Sequence, residues 1–144
     1  MKKVADILTR KGAHVISVAY TSPVIDALQV MADKNIGSVV VMKDDVFAGI
    51  MTERDYSRKI ALKGRSSTDT TAGEIMSTDY PHVSPKDTIE TCMQLMSGKN
   101  LRYLPVMEEA RLAGIISIND VVTETIQSQE ETISELKDYL HANI

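Results

Sequence analysis

Tryptophan is absent from the 144 residues, phenylalanine occurs once and cysteine once, so the interior must be built from Val, Ile, Leu and eight Met. The single Cys92 excludes an internal disulfide and a multi-cysteine metal site, and it fits a reducing compartment. No apolar run approaches the roughly 20 residues that a membrane-spanning helix needs. After Met1-Lys2-Lys3, the residues Asp6, Thr9 and Arg10 interrupt the apolar positions before a secretory core forms. A cytoplasmic location without a membrane partner is the expectation. Basic excess is missing too: 16 Lys and Arg stand against 20 Asp and Glu, for a net charge of −4 and a pI near 5.3. That balance argues against a broad nucleic-acid surface, whose affinity comes from neutralising phosphates. His14, His82 and His141 have no metal-ligand spacing. No nucleophile with its base and orienting group, no Gly-rich phosphate loop and no paired-carboxylate site is recognisable, so neither catalysis nor a catalytic cofactor is expected.

What the chain does contain, it contains twice. Gly49-Ile50-Met51-Thr52-Glu53-Arg54-Asp55 returns as Gly114-Ile115-Ile116-Ser117-Ile118-Asn119-Asp120, every position 65 residues after its counterpart. Gln29/Gln94, Met31/Met96, Asn35/Asn100 and Val41/Val106 keep the same displacement. A repeated unit of this size cannot bury its apolar face alone, so the two copies are expected to pack together about a pseudo-twofold axis, and any cleft between them to occur twice. The expected class is mixed α/β, each repeat reading strand, helix, strand, strand, helix. The boundaries are 1–62 for the first repeat, 63–71 for a linker, 72–127 for the second repeat and 128–144 for a carboxy-terminal helical extension.

In the first repeat Val15 to Val18 reads as a strand, and Ser22-Pro23 as a helix cap with its first helical position. Val24, Ala27, Leu28 and Met31 line one helical face, and Ile89, Cys92, Met93 and Met96 repeat it; both faces are assigned to the core. Strands follow at Val39 to Met42 and Val46 to Met51, and again at Tyr103 to Met107 and Leu112 to Ile116, with polar turns at Lys43-Asp44-Asp45 and Glu108-Glu109-Ala110. The linker residues Gly64-Arg65-Ser66-Ser67 read either as a solvated connector or as hydroxyls and cations around a phosphate. Asp120 to about Asn143 lacks Gly and Pro and reads as one long helix. Ile126, Ile133 and Leu140, with Val122, Gln129 and Leu136, form a heptad stripe: either a seam between two chains, making a homodimer, or a face lying on its own domain.

Two readings of the repeated motif compete. In the first, Thr52/Asp55 and Ser117/Asp120 are capping boxes, each acid reaching back to the amide of its hydroxyl residue. In the second, the helix amino terminus receives a phosphate, the hydroxyl donates to it, Arg54 adds a cation, and the carboxylate accepts two hydrogen bonds from the cis-diol of a ribose. The preceding glycine would permit close backbone approach.

With its strand, helix, strand, strand, helix unit ending in Gly-apolar-apolar-Thr/Ser-x-x-Asp, the chain resembles a tandem pair of CBS domains. Ile36-Gly37-Ser38-Val39-Val40-Val41 and Leu101-Arg102-Tyr103-Leu104-Pro105-Val106 match the family's central strand. Val4-Ala5-Asp6-Ile7-Leu8 and Ala72-Gly73-Glu74-Ile75-Met76 match its lead-in segments. The resemblance implies a regulatory module, not an enzyme, that binds an adenine nucleotide: AMP first, with ATP or NAD(H) as alternatives. One cleft would join Ser117, Asn119 and Asp120 to His14, Ile16, Ile36, Gly37 and Ser38. The other would join Thr52, Arg54 and Asp55 to Pro81, Leu101, Arg102 and Tyr103. Asn119 in place of Arg54, and slender Gly37 in place of Arg102, make the Asp120 cleft the preferred one. A homodimer and a separate regulated protein are the implied partners. The competing expectation is a structural dimerisation module without a ligand.

Overall fold

In the computed structural model, which describes residues 2–12 and 14–142, two hairpin turns carry the repeat most plainly. Asp44 and Asp45 have φ of 51° and 62°, and Glu109 and Ala110 have 51° and 64°, the paired left-handed conformation that matches the twist of a two-residue hairpin. The first joins β2 (Ser38–Lys43) to β3 (Val46–Thr52), and the second joins β4 (Tyr103–Glu108) to β5 (Arg111–Ser117). Each antiparallel pair slips register at the same place, Val41/Met42 and Val106/Met107. Alanine in the left-handed region is strained by about 1–2 kcal/mol. Ala110→Gly should therefore raise stability by about 0.5–1 kcal/mol, read as a higher urea midpoint at unchanged slope.

The remaining elements are α1 (Val4–Lys11), β1 (Ser17–Ala19), α2 (Val24–Lys34), α3 (Glu53–Tyr56, continuing as a π-helical turn Ser57–Ala61), α4 (Ala72–Ile75), α5 (Ile89–Lys99) and α6 (Ile118–Ala142). They form two compact units. The continuous unit is residues 14–80; in the split unit, the described residues before 14 join those from 81 onward.

In the continuous unit β1 runs parallel to β2, giving a three-stranded sheet in the order β1-β2-β3. Val24, Ala27 and Met31 bury the expected face of α2 against Val39, Val41 and Met51. The strand starts at Ser17, two residues later than its sequence suggests, and Ser22 does not cap α2. Pro23 occupies the cap position, and the free amides of Val24 and Ile25 donate to the carbonyls of Thr70 (2.8 Å) and Ser67 (3.0 Å). The segment expected to be a solvated connector thus supplies acceptors to α2, and Thr70 is buried. α4, the lead-in of the second sequence repeat, packs here: Ala72 and Gly73 donate to Ser22 and Tyr20.

The split unit takes the lead-in of the first repeat. Amides of Val4 and Ala5 donate to Asp87 and Pro85 (both 2.9 Å), while Val4 and Ile7 enter a core with Ile89, Cys92, Leu104 and Ile116. The compact units therefore cut across the sequence repeats. The expected first strand of the second repeat is reduced to one parallel bridge, Val83 to Val106, leaving a two-stranded sheet. Pro81 and Pro85 flank Val83 and lack the amides that a longer ladder requires. Met93, assigned to the core, is 41% exposed.

The first two turns of α6 lie on this unit through buried Val121 and Glu124, after which residues 129–142 are exposed on every side. The alternative of a helix lying wholly on its own domain fails for that stretch. The helix begins at Ile118, and the expected end near Asn143 lies outside the described residues.

Candidate functional site

Where β3 ends, the chain turns sharply into α3, and Thr52 and Asp55 satisfy each other's amides. The Thr52 amide donates to Asp55 Oδ2 (2.9 Å), and the Asp55 amide donates to Thr52 Oγ1 (3.1 Å). Asp55 Oδ1 accepts from the Ser77 hydroxyl (2.7 Å) and pairs with Lys59 Nζ (2.9 Å), which also donates to the Ile75 carbonyl. Both carboxylate oxygens are engaged and the side chain is buried. This acid is built into its unit.

The second copy is wired differently. The Ser117 amide donates to Asp120 Oδ2 (2.8 Å) and the Asp120 amide to Ser117 Oγ (3.1 Å), completing the same capping box. Lys11 Nζ reaches the same Oδ2 (2.8 Å) and the Ile115 carbonyl (3.0 Å). Oδ1 accepts no hydrogen bond among the described residues, and the side chain keeps 18% of its surface exposed. Burial works against the charge of Asp120, but the bonds from Lys11 and Ser117 outweigh it and hold the carboxyl below its ordinary value. A half-buried carboxylate with one open oxygen, at the start of a helix and beside an ammonium group, can accept a hydroxyl while its neighbours attract an anion.

The motif glycines have a packing role. A Cβ on Gly49 would stand 2.8 Å from the Ser77 carbonyl oxygen, which is fixed because Ile50 and Ser77 exchange backbone hydrogen bonds. At Gly114 the obstacle is the tip of Leu8. Close approach of protein atoms is required at both glycines.

Of the expected site residues, His14, Ile16, Ile36, Gly37, Ser38, Thr52, Arg54 and Asp55 belong to the continuous unit, and Pro81, Leu101, Arg102, Tyr103, Ser117, Asn119 and Asp120 to the split unit. Within each unit the motif adjoins the central-strand entry of its own repeat. The Glu53 amide donates to the Gly37 carbonyl (3.1 Å) and Ser38 pairs with Thr52; the Ile118 amide donates to the Arg102 carbonyl (2.8 Å) and Tyr103 pairs with Ser117. Both groupings drawn from the resemblance take residues from the two units. Ile16 and Ile36 pack on the continuous unit's core, while His14 and Arg102 are exposed.

Two groups were not singled out from the sequence. Lys11 lies 109 residues from Asp120, and Arg10 Nε holds Glu124 at 2.8 Å across 114 residues, with only 4% of the Glu124 side chain exposed. Such distances leave no spacing signal. The split unit also carries an open cavity of about 520 Å³, bordered by Met93, Leu101, Arg102, Val122 and Ile126 between α5 and α6.

The CBS domain model matches residues 4–62 and 72–126, which include both motifs and both lead-in segments. The chain belongs to the CBS domain family. It is 34% identical over 146 residues to the CBS domain-containing protein CBSX3, mitochondrial, of Arabidopsis thaliana, covering 95% of this chain and 71% of that protein. The CBS domain-containing protein YhcV of Bacillus subtilis is 29% identical over all of this chain and 99% of its own length. Among solved structures, a CBS-domain protein of Burkholderia ambifaria superposes with a TM-score of 0.85 at 41% identity, over 89% of this chain and 96% of that one. CBS pairs are generally regulatory modules that bind adenosine ligands, and no catalytic role is established for this CBS pair. No helix among the described residues is long and apolar enough to cross a membrane, and no group of three or more His, Cys, Asp or Glu among them could hold a metal.

Proposed function

We propose that this CBS pair is an adenine-nucleotide sensor that takes AMP at the Asp120 motif and signals through the arrangement of its repeats in a homodimer. One observation carries the choice of motif: Asp120 keeps Oδ1 open for a ribose hydroxyl, whereas both oxygens of Asp55 are committed to Thr52, Ser77 and Lys59. Lys11 and the amino terminus of α6 favour the phosphate. Ligand binding shifts the dimer only by its differential affinity for two arrangements, and a separate regulated protein reads the shift.

Thermal melting in AMP, ATP, NADH and S-adenosylmethionine tests this reading. A ligand present at 100 times its dissociation constant stabilises by about 2.7 kcal/mol. AMP should raise the melting temperature of the native chain and of Asp55→Ala, each against its own ligand-free value, and should leave Asp120→Ala unmoved. Loss of the shift in Asp55→Ala with retention in Asp120→Ala reverses the ranking. If millimolar concentrations of all four ligands leave the native chain unmoved, the motifs serve only as helix caps and the chain is a structural dimerisation module.

A further inference from the structure

Beyond Ser128 the helix α6 has left its unit, yet it keeps an apolar stripe. Ile133, Leu136 and Leu140 are 52%, 58% and 61% exposed, on a heptad series that continues back through Gln129, Ile126 and Val122 to the cavity beside α5. Three large apolar residues on one side of an otherwise polar, solvent-surrounded helix need a cover. On the opposite face Lys2 pairs with Glu131 at 3.4 Å, and the Glu131 side chain stays 59% exposed.

The residues flanking the stripe identify the cover and its direction. On one flank stand Thr123, Glu130 and Lys137, and on the other Thr125, Thr132 and Tyr139. In a parallel pair of helices opposite flanks meet, so Glu130 would face Thr125 and Lys137 would face Thr132, with no ion pair. In an antiparallel pair like flanks meet, and Glu130 of each copy faces Lys137 of the other. Neither Glu130 nor Lys137 forms an ion pair within the described chain. Flank charges of this kind set partner and orientation in coiled coils.

We infer that α6 is a self-recognition surface whose occupant is the antiparallel α6 of a second copy, with Ile133 against Leu136 and Glu130 against Lys137 about a twofold axis near residue 134. The arrangement is isologous: each copy uses the same patch, and the Glu130-Lys137 ion pair forms twice by symmetry. Each end of the seam approaches the other copy's cavity beside α5, where Ile126 and Val122 continue the stripe. The inference rests on the homodimer proposed above and adds its orientation.

Single cysteines in the full chain test it, since native Cys92 is buried and burial pushes its thiol up to about 11, leaving little background reactivity. Ile133→Cys and Leu136→Cys are oxidised separately and as a mixture. A covalent dimer should form only in the mixture, because an a position faces a d position in antiparallel pairs. Covalent dimers of Ile133→Cys alone mean a parallel seam and overturn the orientation, while leaving the homodimer intact. In light scattering, Glu130→Lys should weaken dimerisation about tenfold, and Glu130→Lys/Lys137→Glu should restore it to within about twofold. A monomeric native chain overturns both the orientation and the homodimer. Failure of the charge swap to restore binding overturns the Glu130-Lys137 contact.

Discussion

Asp55→Ala lowers the folding free energy by about 2–4 kcal/mol in ligand-free protein, whereas Asp120→Ala lowers it by about 1–2 kcal/mol. Sequence alone treats these acids as equivalent, each three residues after a hydroxyl at a helix start. Their surroundings are unequal. Removing the Asp55 carboxylate strands the buried Thr52 amide and hydroxyl together with the Ser77 hydroxyl, and leaves Lys59 with only the Ile75 carbonyl and a long contact to Ser77. Each buried group left without its acceptor costs about 1–3 kcal/mol. At Asp120 the losses are the bond from the Ser117 amide and a bond from Lys11, whose side chain is 31% exposed, so solvent screens much of the second. Urea denaturation of both variants measures the difference; equal losses would contradict the geometry.

The pH dependence of the Asp120 loss has a fixed sign. Its folded pKa is lowered, so its contribution is fully present above the unfolded value of about 3.9 and disappears as pH falls through the lower folded value. The gap between native protein and Asp120→Ala should therefore be flat from pH 7 to about pH 5 and close below about pH 4.

Arg10→Met destabilises the split unit by about 2–4 kcal/mol, the second large effect. Glu124 keeps only 4% of its side-chain surface exposed and receives Arg10 Nε at 2.8 Å, so removal of the guanidinium leaves a nearly buried carboxylate uncompensated. Broken buried pairs lose about 3–5 kcal/mol, reduced here because Arg10 is 32% exposed. Arg10→Met combined with Glu124→Leu should recover most of the loss, since a packed apolar pair can replace a buried ion pair at little or no penalty. Chemical denaturation of the two singles and the double gives the coupling directly. If Glu124→Leu rescues nothing, Arg10 acts through packing on α1.

What could be read in the sequence was local or duplicated. Val24, Ala27 and Met31 announce the buried face of α2 by spacing, and the hairpin turns and both capping boxes follow from neighbours within a few residues. Met93 departs from its counterpart because its turn of α5 borders the open cavity. Ser22 loses the cap because Thr70 and Ser67, more than forty residues later in the chain, reach the helix first. Lys11, Arg10 and Ser77 were invisible as site neighbours for a related reason: only the folded chain brings them to their carboxylates, and no repeat or period marks them, whereas Lys59 stands at the helical i,i+4 spacing from Asp55.

The attachment of α1 to the split unit has a temporal meaning. During synthesis from the amino terminus, residues 14–80 emerge as one uninterrupted stretch and can close early, α4 included. Arg10 must wait until Glu124 has been made, 114 residues later, and Val4 and Ile7 until Ile89, Leu104 and Ile116 have followed them. Until those residues are made, α1 is a short amphipathic segment with its apolar face uncovered.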